Sequence, residues 1–171
     1  AGLLFLKAFE AMLLSPMTVC IALILGGIAI LVIERNEGVP NIRSVETMPA
    51  RSALLIGIGQ CLAMVPGVSR SGATIMAALL LKVDRKTAAE FSFFLAVPTI
   101  AGATVLLLWK NRHTLDIGQL NEIALGFAIS FVVALAVVKG FVAIVSRYGF
   151  APFAWYRIIV GTAALVWLAA R

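Results

Sequence analysis

One arginine lies in the middle of an apolar stretch, and its neighbours could help it bind an anion. Arg70 falls inside the apolar run Ser52–Leu81, between Ser69 and Ser71. A charged side chain at bilayer depth is costly, so it usually marks a functional site. The planar guanidinium of arginine can bind two phosphate oxygens at once, and serine hydroxyls add hydrogen-bond donors. The sequence therefore predicts a phosphate or pyrophosphate site around Arg70.

The residues near this arginine favour the same chemistry. Gly67 and Gly72 would let a ligand approach backbone N–H groups closely, and Thr74 adds another hydroxyl. We predict a helix over Gly72–Lys82, whose positive dipole end would face the anion. Gln60 could hydrogen bond to the tip or the substrate, or to a neighbouring helix, and the sequence leaves both open. The alternative to an anion site is an arginine that locks the fold against carbonyl groups or a carboxylate.

Other ionisable residues show no catalytic pattern. Glu90 could pair with Arg70, or with Arg85 and Lys86 at the membrane interface. His113 is the only histidine, and it is expected to be solvated because it lies in a polar loop. No HExxH motif or comparable metal-binding spacing is present, so we predict no metal site within this chain.

The composition indicates a membrane protein. Hydrophobic residues make up 62% of the 171 residues and charged residues 13%, whereas a soluble domain carries about 25% charge. The mean hydropathy is +1.06. We predict an all-α integral membrane protein with a single membrane domain over residues 1–171. There is no basic stripe with interleaved aromatic residues, so no nucleic-acid partner is expected.

The hydropathy pattern predicts several spanning helices and one hairpin. A span needs about 20 apolar residues, and four segments approach this length: Met17–Ile33, Ala88–Trp109, Leu120–Val145 and Pro152–Ala170. Two shorter apolar helices, Ser52–Val65 and Gly72–Lys82, flank a turn rich in glycine and proline. We interpret them as a re-entrant helix–loop–helix hairpin over about residues 52–82, with the arginine at its tip. Cys20 and Cys61 are expected to be buried free thiols.

Basic residues are distributed unevenly between the two ends of the predicted spans. If the hairpin returns to its own side, eight lysines and arginines lie on one face and four on the other. The richer face is expected to be cytoplasmic, which places the C-terminus outside. The eight are Arg35, Arg43, Arg51, Lys82, Arg85, Lys86, Lys139 and Arg147, and the four are Lys7, Lys110, Arg112 and Arg171. Glu34 is expected to be solvated or interfacial.

The run Ala53–Val97 resembles the undecaprenyl-diphosphate phosphatase family, also called bacitracin-resistance proteins. The segments PGVSRSGAT and AAEFSFFLAVP are the most specific, and GFAISFVVALAVVKGF and PFAWYRIIVG also fit. The resemblance implies a multi-pass enzyme of the bacterial inner membrane. Such an enzyme hydrolyses undecaprenyl diphosphate to the monophosphate and so recycles the lipid carrier of cell-wall synthesis. It also implies interlocked inverted repeats, of which this chain would supply one half.

The resemblance implies that Ser69, Arg70 and Thr74 are catalytic residues that contact the diphosphate of the polyprenyl lipid. Further substrate contacts are expected from Ser71, Gly67, Gly72 and Gln60. A divalent cation, Mg²⁺ or Ca²⁺, is implied as well. Most of its ligands would come from an N-terminal hairpin with paired glutamates and a Ser-Thr-Gly-His run, which nothing in this sequence matches. We therefore expect this chain to be a fragment that has little activity alone and could form a homodimer.

A transporter or flippase for a polyprenyl-phosphate lipid or another anion is the alternative function. Broken helices that meet near the membrane midplane are also typical of transporters. A glutamate-rich motif with a histidine upstream would favour the enzyme, and an apolar hairpin without carboxylates would favour transport.

Overall fold

The computed structural model describes residues 15–112 and 120–170, and these form six α-helices without a β-strand. The helices are α1 (Pro16–Arg35), α2 (Ala50–Gln60), α3 (Arg70–Leu80), α4 (Arg85–Lys110), α5 (Leu120–Tyr148) and α6 (Ala151–Ala169). A 3₁₀ turn, Cys61–Met64, continues α2. The predicted all-α fold class is confirmed.

Four of these helices are long and apolar enough to cross a membrane. They are α1, α4, α5 and α6, with mean hydropathies of 2.6, 2.1, 2.5 and 1.4. Much of the apolar surface of α4 and α5 is exposed, as the lipid-facing side of a span requires. α4 continues through Pro98, and the adjacent Thr99 hydroxyl donates to the Leu95 carbonyl at 2.9 Å. The four predicted spans are confirmed.

Helices α2 and α3 pack against each other as an antiparallel hairpin. A Cβ atom added to Gly59 would lie 2.6 Å from the Ala77 Cβ atom, so only glycine allows this close approach. α3 begins at Arg70, two residues before the predicted start, because Ser69 caps it. Lys82 adopts a φ of 58° just beyond the end of α3, which stops the helix. Insertion of the hairpin into the membrane from one side stays a prediction, as do the inverted repeat and the single domain.

Helices α1 and α6 pack closely through small residues. A Cβ atom on Gly27 would lie 2.8 Å from the Ala154 carbonyl oxygen, and one on Gly161 would lie 3.0 Å from the Cys20 carbonyl oxygen. Small residues let helix backbones approach in a membrane, where van der Waals packing drives association. Cys20 is buried at this contact, as predicted. Cys61 is exposed, so that prediction is wrong, because the 3₁₀ turn directs this side chain outward.

The base of the hairpin is fixed to the neighbouring loops. The Asn41 N–H donates to the Lys82 carbonyl at 2.9 Å, and the Asp84 N–H donates to the Ile42 carbonyl at 2.8 Å. Of the two placements expected for Glu34, the solvated one is wrong, because its side chain is only 10% exposed and its carboxylate lies 3.4 Å from Arg85 Nη2. The interfacial placement stays a prediction. The apolar core lies at this same end, where its largest fully buried side chains include Ile56, Val83 and Val145.

Candidate anion site at the hairpin tip

The N-terminus of α3 forms the hairpin tip. Ser69 Oγ accepts the Gly72 N–H at 3.2 Å and lies 3.1 Å from Ser71 Oγ. Within the described part of the chain, the backbone N–H groups of Arg70 and Ser71 have no hydrogen-bond partner. Unpaired N–H groups at the start of a helix favour an anion, because the helix dipole adds to their positive charge. The tip therefore offers two backbone donors next to two hydroxyls.

Arg70 is the first residue of α3 and is half-buried. Its Nη1 donates to the Ser92 carbonyl oxygen on α4 at 3.3 Å. None of the carboxylates in residues 15–112 and 120–170 forms a salt bridge with it. A guanidinium has five N–H donors, so this one bond leaves most of them for a ligand. The fold-lock alternative accounts for the carbonyl contact alone.

Thr74 and Gln60 join the two limbs of the hairpin. The Thr74 hydroxyl is fully buried, donates to the Arg70 carbonyl at 2.9 Å and lies 3.4 Å from Gln60 Oε1. Of the two roles left open for Gln60, the structure therefore shows the contact between helices. The predicted contacts of both residues with the substrate stay predictions. In the structure, their polar groups hold the tip together.

A second arginine, which the sequence analysis missed, reaches the tip from α6. Arg157 Nη2 donates to the Gly67 carbonyl oxygen at 3.0 Å and lies 3.5 Å from the Ala22 carbonyl oxygen. Its Nε is buried and has no hydrogen-bond partner among the described residues. Its Nη1 would lie 3.6 Å from a Cβ atom on Gly72, so the guanidinium sits beside the first turn of α3. Arg157, like Arg70, has no carboxylate partner in the described ranges.

The sequence did contain a signal for Arg157. It follows Trp155 and Tyr156, an aromatic pair of the kind that is typical of a membrane interface. The apolar run that follows it, Ile158–Ala170, instead places the arginine inside the span. The rule that selected Arg70, an ionisable residue within an apolar run, selects Arg157 as well.

Gly67 brings the tip against α1. Its φ is 88°, and an added Cβ atom would lie 2.6 Å from the Val19 carbonyl oxygen. Val19 is near the start of α1, and at 1.5 Å per residue it lies roughly 24 Å from Arg35 at the other end. The base of the hairpin lies at the Arg35 end, so the tip reaches most of the way along a spanning helix.

A cavity of about 300 Å³ adjoins the tip. Ser69, Ser71 and Arg157 line its polar part, and apolar side chains such as Phe141 and Phe153 line the rest. These two aromatic rings pack against each other with their centroids 5.1 Å apart. The cavity thus matches a ligand that has an anionic end and a hydrocarbon part.

A divalent cation does not fit the described residues at the tip. Among residues 15–112 and 120–170, no group of three or more histidine, cysteine, aspartate or glutamate side chains could hold a metal ion. The tip is lined by guanidinium groups, which repel a cation.

Glu90 pairs with Lys86 at 3.8 Å, which is one of its two predicted alternatives. His113 lies outside the described residues.

The spans and the tip together define a multi-pass membrane protein with a candidate anion site. Residues 1–163 match the model of the protein family described as "Bacitracin resistance protein BacA". This chain belongs to that family, as its sequence predicted.

Relatives of this chain carry a common name. An "Undecaprenyl-diphosphatase" of Sphingopyxis alaskensis is 62% identical over 168 residues, which cover 98% of this chain and 63% of that protein. A protein of the same name from Rhizorhabdus wittichii is 62% identical over 164 residues, 96% of this chain and 62% of that protein. "Undecaprenyl-diphosphatase 2" of Paramagnetospirillum magneticum is 52% identical over 170 residues, 99% of this chain and 65% of that protein. The chain therefore spans less than two thirds of the length of these relatives.

Proposed function

We propose that this protein hydrolyses undecaprenyl diphosphate to undecaprenyl phosphate in the bacterial inner membrane, and so recycles the lipid carrier of cell-wall synthesis. The strongest structural support is the pair Arg70 and Arg157, which lie on different helices and, among the described residues, bond only to carbonyl oxygens. Two cations at membrane depth without a carboxylate partner in the described ranges favour an anionic ligand. The names of the relatives agree with a diphosphate.

The chemistry of this reaction matches what the tip provides. Water attacks the terminal phosphorus, the bridging bond breaks, and the bridging oxygen leaves with the lipid monophosphate. Catalysis of phosphoryl transfer depends mainly on positioning and on stabilisation of charge. Arg70, Arg157 and the free N–H groups of α3 would donate to the phosphate oxygens. We assign the activation of water to none of the described residues.

The position of the tip supports an approach of the headgroup from the outer face. The hairpin base lies at the basic end of α1, which the charge distribution predicts to be cytoplasmic. The tip lies near Val19, toward the opposite end of the same helix. A diphosphate bound there would lie in the outer half of the membrane.

The apolar part of the cavity supports a lipid substrate rather than a free nucleotide or sugar phosphate. Its lining beyond the polar tip is aliphatic and aromatic, with Ile75, Leu79 and Phe153 among the residues. Burial of hydrocarbon stabilises a complex by about 25 cal/mol per Å². A polyprenyl chain would therefore bind here through its first units while the diphosphate meets the arginines.

Phosphate release from undecaprenyl diphosphate by the purified full-length gene product tests this proposal. We expect Arg157→Lys to lower the rate by about 10²-fold or more, because a point charge cannot replace a planar fork of donors. Arg147→Lys is the matched control, because Arg147 is exposed at the end of α5 beside Tyr148. An Arg157→Lys rate within threefold of wild type would contradict the assignment. Lipid translocation without phosphate release would favour the transporter alternative.

A further inference from the structure

We propose that Glu34 is a positioning residue for the anion site. Its carboxylate links the start of α6, which carries Arg157, to the start of α4, whose Ser92 carbonyl accepts a hydrogen bond from Arg70. The inference rests on the proposed function. Glu34 lies at the end of α1, far from the tip along that helix, and is not among the residues that line the cavity beside the tip. Its effect would pass through α4 and α6.

The contacts of Glu34 reach both helices. Glu34 Oε1 accepts the backbone N–H of Phe150, the N-cap residue of α6, at 2.8 Å. The same oxygen lies 3.4 Å from Arg85 Nη2, at the first residue of α4. Gly149, with a φ of 70°, leaves room for this carboxylate, since a Cβ atom there would collide with Glu34 Oε1. One mostly buried oxygen thus joins the starts of α4 and α6.

On α4 and on α6, the residue that takes part in the anion site lies seven residues after the residue that Glu34 contacts. Ser92, whose carbonyl holds Arg70, lies seven residues after Arg85 on α4. Arg157 lies seven residues after Phe150 at the start of α6. Seven residues make almost two helical turns, about 10.5 Å, and return to nearly the same face of the helix. A shift or rotation of either helix start would therefore move the point where that helix holds an arginine.

The second carboxylate in this cluster makes a mild test possible. Glu37 Oε2 lies 2.7 Å from Arg85 Nε. In Glu34→Gln, the amide oxygen can still accept the Phe150 N–H, and Glu37 still neutralises Arg85. The variant removes only the attraction between Glu34 and Arg85. Glu34→Ala removes the acceptor for Phe150 as well, so its effect should be larger.

The experiment measures kcat and KM for undecaprenyl diphosphate hydrolysis by the full-length gene product in detergent. We expect kcat to fall about tenfold in Glu34→Gln and about 10²-fold in Glu34→Ala, with KM within threefold, because small displacements of positioned groups cost this much. Glu90→Gln is the matched control. Its Lys86–Glu90 pair also lies at the start of α4, but both side chains are more exposed than Glu34.

Coupling to Arg157 separates positioning from a general loss of stability. If Glu34 acts through Arg157, the effects of Glu34→Gln and Arg157→Lys should not be additive in the double variant. An unchanged kcat in Glu34→Gln, or additive losses, would overturn the inference. If Glu34→Gln does not purify in a folded form, Arg85→Lys tests the same link with the same two outcomes. A wild-type protein without hydrolysis would reject the proposed function and this inference together, whereas an active wild type with an unaffected Glu34→Gln rejects only the inference.

Discussion

At the scale of single residues, the two arginines at the hairpin tip differ from the basic residues at the start of α4. Arg85 and Lys86 form salt bridges with glutamates, whereas Arg70 and Arg157 bond to carbonyl oxygens. A carbonyl satisfies one N–H without neutralising the charge. The tip therefore keeps its positive charge for a ligand.

Arg70 should be required for hydrolysis but not for folding. We expect Arg70→Ala to lower phosphate release by about 10²–10³-fold, the usual cost of losing one preorganised donor. Arg70→Lys should recover little, because an ammonium cannot bridge two oxygens. Phosphate release and the melting temperature are measured on the same preparations. Activity of Arg70→Ala within threefold of wild type would refute the assignment.

Gly67 should be required for stability. Gly67→Ala places a Cβ atom against the Val19 carbonyl oxygen in a left-handed conformation. The conformation costs about 1–2 kcal/mol and the overpacking about 1–3 kcal/mol, so the free energy of unfolding should fall by about 2–5 kcal/mol. Gly57→Ala is the control, because nothing lies within 4 Å of its added Cβ atom. Equal melting temperatures of both variants would show that the contact with α1 is not needed.

The sequence was sufficient to find Arg70 but not the way its neighbours are used. Thr74 and Gln60 could be recognised in the sequence as hydrogen-bonding residues near the tip. Their partners could not, because the contact between them depends on the packing of two helices. Arg157 joins the site through a contact 90 residues away in the chain, between α6 and the Gly67 carbonyl. No local pattern specifies such a contact.

At the scale of helices, α1 serves as the support for the site although it contributes no charged group to it. The tip contacts α1 at Val19. α6 packs against α1 through two glycines, Gly27 on α1 and Gly161 on α6. The position of Arg157 relative to the tip therefore depends on two contacts with the same helix.

A larger residue at Gly27 should separate α1 from α6. In Gly27→Ala, the new Cβ atom would lie 2.7 Å from the Ile158 side chain and 2.8 Å from the Ala154 carbonyl oxygen. We expect a loss of about 1–3 kcal/mol in unfolding free energy, since backbone atoms must move. Denaturation of the detergent-solubilised protein measures this loss. Gly126→Ala on α5, where nothing lies within 4 Å, should show no loss; a similar loss in both variants would refute the argument.

Hydropathy predicted the helices better than their ends. The four spans follow from apolar length alone, which depends on no neighbour. The start of α3 depends on the capping of Gly72 by Ser69, so Arg70 and Ser71 belong to the helix instead of the loop. The burial of Glu34 depends on its contacts with Arg85 and with the start of α6, which lie far from it in the sequence.

At the scale of the whole molecule, the two ends of α4 should lie on opposite sides of the membrane. We expect Lys86→Cys to react with a membrane-impermeant maleimide only after permeabilisation, and Arg112→Cys to react in spheroplasts. Cys20 and Cys61 are first replaced by serine. The prediction follows from the excess of basic residues at the Arg35 end. Labelling of position 86 from outside would reverse the topology.

Because the tip keeps its positive charge, the stability of the molecule should depend on the concentration of oxyanions in the solution. An oxyanion that binds the folded protein and not the unfolded chain stabilises the fold, by about 2.7 kcal/mol at a hundred times its dissociation constant. Inorganic phosphate, the product that the proposed reaction would release, carries the same oxygen groups as the proposed substrate headgroup. The melting temperature of the purified protein should therefore rise with the logarithm of phosphate concentration, and phosphate that accumulates during turnover should slow the reaction by occupying Arg70 and Arg157.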